Sequence, residues 1–290
     1  MIDFHLHTSA SDGLTTPSQL IDQALFLKLK AIAITDHDTI EGIDDFLSYG
    51  ESKNIITIPG IEISIRNELK RELINIHIIG LNIDHTSVIF INRINEQIKG
   101  RLEQKKAICK RLRDEFDYNI SFDDVKAIAV HQVVGRTHIV EIMERNNPDK
   151  VKGKSRKELF EMISIGGAAF VDRKVELNLE ESIDLINSSG GTPILAHPGI
   201  YEVAKREKFL QQFIKAGIKG LEIEYTYAKN RPFYDTERTK WAQEFFPNYY
   251  RKLAETYNLK KSGGSDYHGG KKGIIIGEAN VPDSYIKNFI

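Results

Sequence analysis

Short apolar, β-branched runs alternate with amphipathic helical patterns along most of this chain. Such alternation is typical of βα units, which assemble into a parallel sheet covered by helices. The apolar runs predict strands at residues 2–5, 31–35, 55–65, 73–83, 193–196, 220–224 and 261–265, the third interrupted by Pro59-Gly60. The helical patterns predict helices at residues 18–30, 42–52, 180–189, 202–216 and 236–257. We therefore predict an α/β fold in which parallel strands form a barrel.

In the middle of the chain this alternation of strand and helix patterns stops, and the sequence predicts mostly helix. We expect residues 1–86 and 171–290 to form the barrel, with a helical insertion at 87–170 that covers the site. One face of the first helix there carries Ile98, Leu102, Cys109, Leu112 and Phe116. The opposite side carries Lys99, Arg101, Lys105, Lys106, Lys110, Arg111 and Arg113. These charges predict either a solvated helix face or a surface for a nucleic-acid backbone.

Composition excludes several classes of protein. Forty basic and forty-one acidic residues give a net charge of −1, so no global field attracts polyanions. Cys109 is the single cysteine, which excludes an internal disulfide and a thiolate-rich zinc site. The N-terminal sequence does not resemble a secretory signal, and no apolar run is long enough to span a bilayer. We expect a cytoplasmic protein without a membrane segment or an evident obligate protein partner.

Metal-binding residue types recur in six short blocks that each resemble the C-terminal end of a strand. The blocks are IDFHLHTSASDG, AITDHDT, PGIEIS, NIHIIG, ILAHPG and GGSDYHG. They contain His5, His7, Asp12, His37, Glu62, His77, His197, Asp266 and His268. Strand ends of a parallel barrel meet on one rim, and side chains two apart on a strand point the same way. Imidazole and carboxylate suit Zn, Mn and Fe, so the blocks predict a cluster of several metal ions.

Packing is the alternative explanation for each histidine taken singly. Nine such groups at corresponding strand ends are hard to explain by packing, because buried charges need compensation that a metal provides. A metal-stabilised binding protein without turnover is the alternative of another functional class.

The motifs DFHLHTSASDG, TDHDT, PGIEIS, AHPG and GGSDYHG, in this order, resemble those of the polymerase and histidinol phosphatase (PHP) superfamily of metal-dependent phosphoesterases. The resemblance implies a distorted (β/α)7 TIM-like barrel and a trinuclear site. It implies a first metal held by His5, His7, Glu62 and Asp266. A second metal would share Glu62 and add His77 and His197, and a third would take Asp12, His37 and His268. Two or three divalent ions (Mn, Fe or Zn) are thus implied, with Glu62, His37 and His268 as catalytic residues.

The Ser11-Asp12-Gly13 context, Gly135-Arg136-Thr137-His138 and the 169–174 segment resemble one branch of that superfamily. This branch includes phosphatases of nucleoside 3′,5′-bisphosphates and nucleotides and 5′-to-3′ exonucleases on short RNA. We therefore expect a phosphoesterase that hydrolyses nucleotide phosphomonoesters through a metal-activated hydroxide and also trims short RNA. Histidinol-phosphate phosphatase activity is the alternative.

Candidate substrate contacts lie outside the metal blocks. Because guanidinium groups fork onto phosphate oxygens, we expect Arg136 to bind phosphate, with His138, Arg173 and Lys174 beside it; surface charge is the alternative. The general acid would be a metal-bound water or His138. Three aromatic residues near the rim are candidates for base stacking or for packing: Tyr225, Tyr227 and Phe233. Glu222 and Glu224 are not assigned as ligands.

Overall fold

The computed structural model describes residues 1–129, 134–230, 236–270 and 273–290. The chain forms two compact units. The first consists of Met1–Arg93 and Leu177–Ile290, and the second of Ile94–Glu176.

The first unit contains a seven-stranded sheet whose spatial order follows the chain. Its strands are β1 (Ile2–Asp3), β2 (Ala31–Ile34), β3 (Ile56–Ser64), β4 (His77–Leu81), β5 (Thr192–Leu195), β6 (Gly220–Tyr225) and β7 (Lys260–Gly264). The backbone after β1 also pairs with β7 and the residues that follow it: Phe4 N donates to Gly263 O at 3.1 Å, and His7 N to Tyr267 O at 3.0 Å. The sheet thereby approaches a closed barrel, and the predicted α/β barrel is confirmed.

Strand β4 runs against both of its neighbours, whereas the sequence predicted parallel strands throughout. β3–β4 and β4–β5 are antiparallel, and the other neighbouring pairs are parallel. Residues 65–76 contain only a short 3-10 turn, while a parallel neighbour needs a crossover that is usually a helix. His77 is consequently the first residue of its strand, not part of a C-terminal end. The reversal still brings His77 opposite Ser64, at the end of β3.

Strand β3 is continuous through Pro59-Gly60, where the sequence predicted an interruption. The strand changes partner at this point, since Pro59 pairs with Ile34 of β2 and Gly60 pairs with Leu81 of β4. A Cβ atom at Gly60 would lie 2.8 Å from Ile34 O and 2.9 Å from Gly80 O. Glycine therefore allows two backbones to approach β3 at the same place.

The described residues form eleven α-helices, and six of them lie wholly within the first unit. In chain order the helices are α1 (Pro17–Phe26), α2 (Ile43–Ser52), α3 (Val88–Phe116), α4 (Phe122–Ile128), α5 (Arg136–Asn146), α6 (Pro148–Val151), α7 (Arg156–Met162), α8 (Leu179–Ser188), α9 (Arg206–Lys215), α10 (Tyr227–Asn230) and α11 (Thr236–Thr256). Capping boxes begin α1 and α8, where the Thr16 and Asn178 side chains accept hydrogen bonds from backbone N–H groups. Helix α1 ends before its predicted limit because Lys28 adopts a left-handed conformation, with φ 59°. None of these helices is long and apolar enough to cross a membrane.

The core of the barrel is closed by the C-terminal segment. Side chains from β1, β2, β3, β4 and β5 pack there against three residues of that segment, Val281, Tyr285 and Phe289. The rings of Phe4 and Phe289 meet edge to face, with centroids 5.6 Å apart. The barrel is thus filled with side chains, as in other small barrels.

The second unit is helical and has a core of its own. Helices α4–α7 and the C-terminal part of α3 contribute to it, and its buried residues include Ile108, Leu112, Ile139 and Met143. Cys109 is also buried in this core, with its pKa raised to about 12 by burial.

Candidate metal centre

The nine predicted ligand residues all lie in the first unit, and each comes from a strand or from a loop next to one. His5, His7 and Asp12 follow β1, His37 follows β2, Glu62 lies within β3, His77 begins β4, His197 follows β5, and Asp266 and His268 follow β7. His5, His7 and Glu62 are fully buried.

Ligand atoms of these residues form four overlapping groups, and within each group all atoms lie within 4.8 Å of one another. The groups are His7–Asp12–His37–His268, His5–His7–Asp266, His5–Glu62–His197 and His37–Glu62–His77. The structure therefore brings all nine residues together. Several residues belong to two groups, as would be needed if neighbouring ions shared bridging ligands.

Glu62 lies at the centre of the cluster. Its Oε1 atom is 2.9 Å from Nδ1 of His77 and 3.1 Å from Nε2 of His197. Its Oε2 atom is 2.9 Å from Nδ1 of His37 and 3.3 Å from Nε2 of His7. One buried carboxylate thus faces these four imidazoles, and a fifth, since Nε2 of His5 lies 3.4 Å from Oε2. Its two oxygens serve different rings.

The donor chemistry of the cluster fits divalent cations. Nε2 of His5 lies 3.1 Å from Nε2 of His7 and 3.4 Å from Oε2 of Glu62. Neutral imidazoles that both carry their proton on Nδ1 would oppose their Nε2 lone pairs at this distance, and protonated ones would crowd positive charges into a buried space. Among the described residues, the buried atoms Nδ1 of His37 and Oε2 of Glu62 have no hydrogen-bond partner of acceptable geometry. A cation between these atoms would satisfy them.

Electrostatics within the cluster keep its carboxylates ionised. Burial alone would raise the pKa of Glu62, but His37, His77 and His5 hold that pKa well below its usual value. Burial likewise opposes ionisation of Asp266, and the charges of His268 and His5 keep its pKa well below the usual range. Anionic oxygens beside imidazoles are a donor set for Zn, Mn or Fe.

Residues behind the cluster orient several of its members. The hydroxyl of Tyr225 donates to Oδ2 of Asp266 at 2.7 Å. Nδ1 of His268 lies 2.8 Å from the carbonyl oxygen of Asp266, so Nδ1 carries the proton and Nε2 is left for a ligand role. His197 and Asp266 adopt left-handed backbone conformations, with φ of 30° and 57°. Such conformations cost about 1–3 kcal/mol each in non-glycine residues and concentrate at functional sites.

Glu222 is a residue of this site that the sequence analysis left unassigned. It lies in β6, is fully buried, and has Oε1 2.8 Å from Nδ1 of His5. Its Oε2 accepts a hydrogen bond from the backbone N–H of His197 at 2.6 Å. The sequence feature that could have revealed Glu222 is its place inside the apolar strand GLEIEY, because a buried carboxylate needs a polar partner.

The predicted phosphate-binding residues all lie in the second unit. Arg136 and His138 occupy the first turn of α5, where Gly135 N donates to Nδ1 of His138 at 3.1 Å. Nη1 of Arg136 donates to Oγ of Ser164 at 2.9 Å. Nη1 of Arg173 is 3.3 Å from Oε1 of Glu176. Lys174 is exposed.

Lys105 corrects the expectation that the basic side of helix α3 is solvated. Its side chain is buried, with 5% of the residue exposed, and it donates to Oε1 of Gln104 at 3.0 Å. Gln104 in turn donates to Val171 O at 2.7 Å, so the segment around Val171 packs on this part of the helix. Burial, followed by the charges of Arg101, Arg173 and Arg136, holds the pKa of Lys105 well below its usual value.

Other basic residues of α3 pair along the helix. Lys110 lies 2.6 Å from Asp114, and Arg111 lies 3.0 Å from Glu115. These ion pairs favour the interpretation of an ordinary solvated face for the C-terminal part of the helix.

The remaining candidates have mainly structural surroundings. Tyr225 and Tyr227 are buried, and their rings meet edge to face with centroids 4.9 Å apart, which favours packing over base stacking. His85 pairs with Asp44 at 2.8 Å, outside the cluster. Phe233 lies outside the described residues.

A family model described as the PHP domain matches residues 3–223. The chain belongs to the PHP family. It is a PHP-type metal-dependent phosphoesterase, and thus a hydrolase of phosphate esters, which confirms the function class predicted from the motifs. Family membership and the His/Asp/Glu groups together indicate divalent metal ions as cofactors.

Curated relatives match most of the chain. It is 30% identical over 272 residues to the 5′-3′ exoribonuclease Rnm of Escherichia coli (strain K12), covering 92% of this chain and 84% of that relative. It is 27% identical over 285 residues to the 3′,5′-nucleoside bisphosphate phosphatase of Chromobacterium violaceum, covering 95% and 90%.

Solved structures share the PHP fold of this chain. A candidate metal-dependent phosphoesterase from Bifidobacterium adolescentis superposes with a TM-score of 0.79 at 24% identity, covering 99% of this chain and 94% of the other. An amidohydrolase from Chromobacterium violaceum gives a TM-score of 0.75 at 24% identity, covering 94% and 89%. These similarities confirm the barrel architecture.

Proposed function

We propose that this PHP phosphoesterase hydrolyses nucleotides that carry a second phosphate, such as nucleoside 3′,5′-bisphosphates, and that it also trims short RNA from the 5′ end. The similar proteins named above are an exoribonuclease and a nucleoside bisphosphate phosphatase, so both names denote nucleotide substrates. Histidinol phosphate is the competing substrate, and neither name supports it.

The proposed metal centre holds two or three ions of Mn, Fe or Zn. His5, His7, Glu62 and Asp266 would hold the first ion, and His77 and His197 would hold a second together with Glu62. Asp12, His37 and His268 would hold a third. Two of the groups of ligand atoms support this division, because His5, His7 and Asp266 form one group, and Asp12, His37 and His268 share another with His7.

Bound divalent ions would supply charge neutralisation for the phosphate and a water of lowered pKa. The protein's part is to hold these ions at fixed positions on strand ends. Glu62 is proposed as a catalytic residue because its two oxygens face different imidazoles. His37 and His268 are proposed with it, since they share a group with Asp12.

A cluster of cations in the second unit supports the choice of a substrate with a second phosphate. Lys105 feels the charges of Arg101, Arg173 and Arg136, with Glu176 as a counter-charge. Burial and the charges of Arg101 and Arg173 also lower the pKa of Arg136. A phosphate dianion would offset this mutual repulsion and accept charge-assisted hydrogen bonds from the guanidinium groups.

We assign the phosphate that is not hydrolysed to this basic cluster, with His138 and Lys174 as further candidate contacts. The predicted insertion at 87–170 contributes Arg101, Lys105, Arg136 and His138 to this assignment. The basic cluster is the observation that carries the choice of substrate.

The test is phosphate release in Mn²⁺ from adenosine 3′,5′-bisphosphate, AMP, histidinol phosphate and a short 5′-phosphorylated RNA. Arg136→Ala is compared with Arg156→Ala, whose arginine is exposed and pairs with Glu144 in the same unit. Loss of a hydrogen bond to a charged group costs about 1.5–3 kcal/mol, or roughly 10- to 150-fold in kcat/KM. We expect that loss for the bisphosphate in Arg136→Ala alone, with little change for AMP.

Preference for histidinol phosphate would contradict the proposed substrate class. Equal bisphosphate turnover by the two arginine variants would contradict the role of the basic cluster.

A further inference from the structure

Glu222 contacts two candidate ligand residues from different strands and is not itself in any of the ligand groups. Its Oε1 atom faces the Nδ1 edge of His5, and its Oε2 atom holds the backbone N–H of His197. Both contacts are fully buried, so water does not compete for them.

The contact to His5 determines which ring nitrogen faces the cluster. A carboxylate only accepts hydrogen bonds, so Nδ1 of His5 must carry the proton. Its Nε2 atom then keeps a lone pair where it meets Nε2 of His7 at 3.1 Å and Oδ1 of Asp266 at 3.5 Å. The proton on Nδ1 thus makes Nε2 the ligand atom.

The contact to His197 acts on the backbone. His197 has a φ of 30°, a conformation that non-glycine residues rarely adopt without support. The hydrogen bond from its N–H to Glu222 provides this support at 2.6 Å. Nε2 of His197 then lies 3.1 Å from Oε1 of Glu62.

We propose that Glu222 is a positioning residue of the metal centre, which fixes the ring tautomer of His5 and the backbone of His197 so that both Nε2 atoms point at Glu62. This inference rests on the metal ligands assigned above.

The proposal predicts an unusual order of effects for two substitutions. In Glu222→Gln, the amide NH₂ must face one of two positions. If the NH₂ group faces the backbone N–H of His197, two donors meet at hydrogen-bonding distance and repel. If the NH₂ group faces His5, it donates to Nδ1, so the ring proton moves to Nε2 and the cluster loses the Nε2 lone pair. Glu222→Ala removes both contacts but leaves His5 free to adopt the ligand tautomer.

The experiment measures Mn²⁺ and Zn²⁺ affinity of the full-length chain by titration calorimetry against a competing chelator. Glu224→Gln is the matched control, because Glu224 lies on the same strand and pairs with Arg251 at 2.6 Å. Residues that orient metal ligands typically contribute 10- to 100-fold to metal affinity. We expect a loss of about that size in Glu222→Gln, a loss no larger in Glu222→Ala, and wild-type affinity in Glu224→Gln.

Nitrogen NMR of the Zn²⁺-bound protein provides a second readout, with the His5 signals assigned by comparison with a His5→Asn sample. The proposal predicts a proton on Nδ1 of His5 in the wild type and displacement of that pattern in Glu222→Gln. A role in packing alone predicts the reverse order of affinities, since glutamine keeps the volume of glutamate and alanine does not.

Wild-type affinity in Glu222→Gln, or a loss in Glu222→Ala much larger than in Glu222→Gln, would overturn the inference. A wild-type protein that binds neither ion would overturn the assigned metal ligands, and the inference with them. Circular dichroism of each variant separates loss of affinity from loss of fold.

Discussion

Replacing Lys105 by methionine should stabilise the protein and impair its activity at the same time. Lys105 is buried among Arg101, Arg136 and Arg173, and its direct hydrogen bond is to the uncharged amide of Gln104. Methionine has a similar length and no charge, so Lys105→Met removes the repulsion while filling the same space. Replacing buried charges by apolar residues of similar volume is often stabilising by about 1–4 kcal/mol. We expect a gain in the free energy of unfolding within this range at pH 7.

The same substitution removes a cation from the proposed phosphate site. A hydrogen bond to a charged group contributes about 1.5–3 kcal/mol, so kcat/KM for adenosine 3′,5′-bisphosphate should fall roughly 10- to 150-fold. Turnover of AMP, which carries no second phosphate, should change little. The assays are urea denaturation and phosphate release. Lys106→Met, at an exposed position next in the chain, is the control and should leave both quantities near wild type.

The pH dependence of stability gives a further check on Lys105. The pKa of Lys105 is lowered in the folded protein, so the folded state binds this proton more weakly than the unfolded state. Wild-type stability should therefore rise as pH increases from the lowered pKa towards the unfolded value of about 10.4. The advantage of Lys105→Met should shrink over the same interval. Destabilisation by Lys105→Met together with unchanged bisphosphate turnover would show that Lys105 is neither destabilised by the neighbouring arginines nor part of the phosphate site.

Three further predictions concern the barrel and its metals. Gly60→Ala should lower the free energy of unfolding by about 1–3 kcal/mol in urea denaturation, because a Cβ there would lie 2.8 Å from Ile34 O; unchanged stability would contradict the tight strand approach. Phe289→Ala should lower the free energy of unfolding by about 3–5 kcal/mol in the same assay, while the folded fraction keeps its kcat/KM. A loss of activity without a loss of stability would contradict a purely structural role for Phe289 in the barrel core. Chelator treatment should lower Tm in differential scanning fluorimetry, since an ion at 100 times its Kd stabilises by about 2.7 kcal/mol, and added Mn²⁺ should restore it; an unchanged Tm would argue against a bound cluster.

The residues of the candidate site were predictable because their signal is local and chemically specific. His5-x-His7 and Asp266-x-His268 stand out within a few residues of a strand, whatever the rest of the fold does. The strand runs and helix patterns were likewise sufficient for the barrel architecture.

The direction of β4 and the role of Glu222 were not predictable from these patterns. An apolar run reads the same in either direction, and only the missing helix in residues 65–76 indicates a reversal. A glutamate in a buried strand indicates that a polar partner exists but not which residue it is, and the partners of Glu222, His5 and His197, are far away in sequence. Lys105 was misplaced because a helical pattern does not show which later segment will cover the helix, and here the segment around Val171 does so.

Phosphate-ester hydrolysis by this chain should depend on divalent ions held by Glu62 and the histidines around it. The most direct measurement determines metal content per chain by mass spectrometry, and phosphate release from adenosine 3′,5′-bisphosphate, in the same samples of wild type and Glu62→Gln. We expect two or three ions per wild-type chain, with joint loss of ions and turnover in Glu62→Gln. Full turnover by metal-free protein, or by a Glu62→Gln chain that retains no ions, would contradict it.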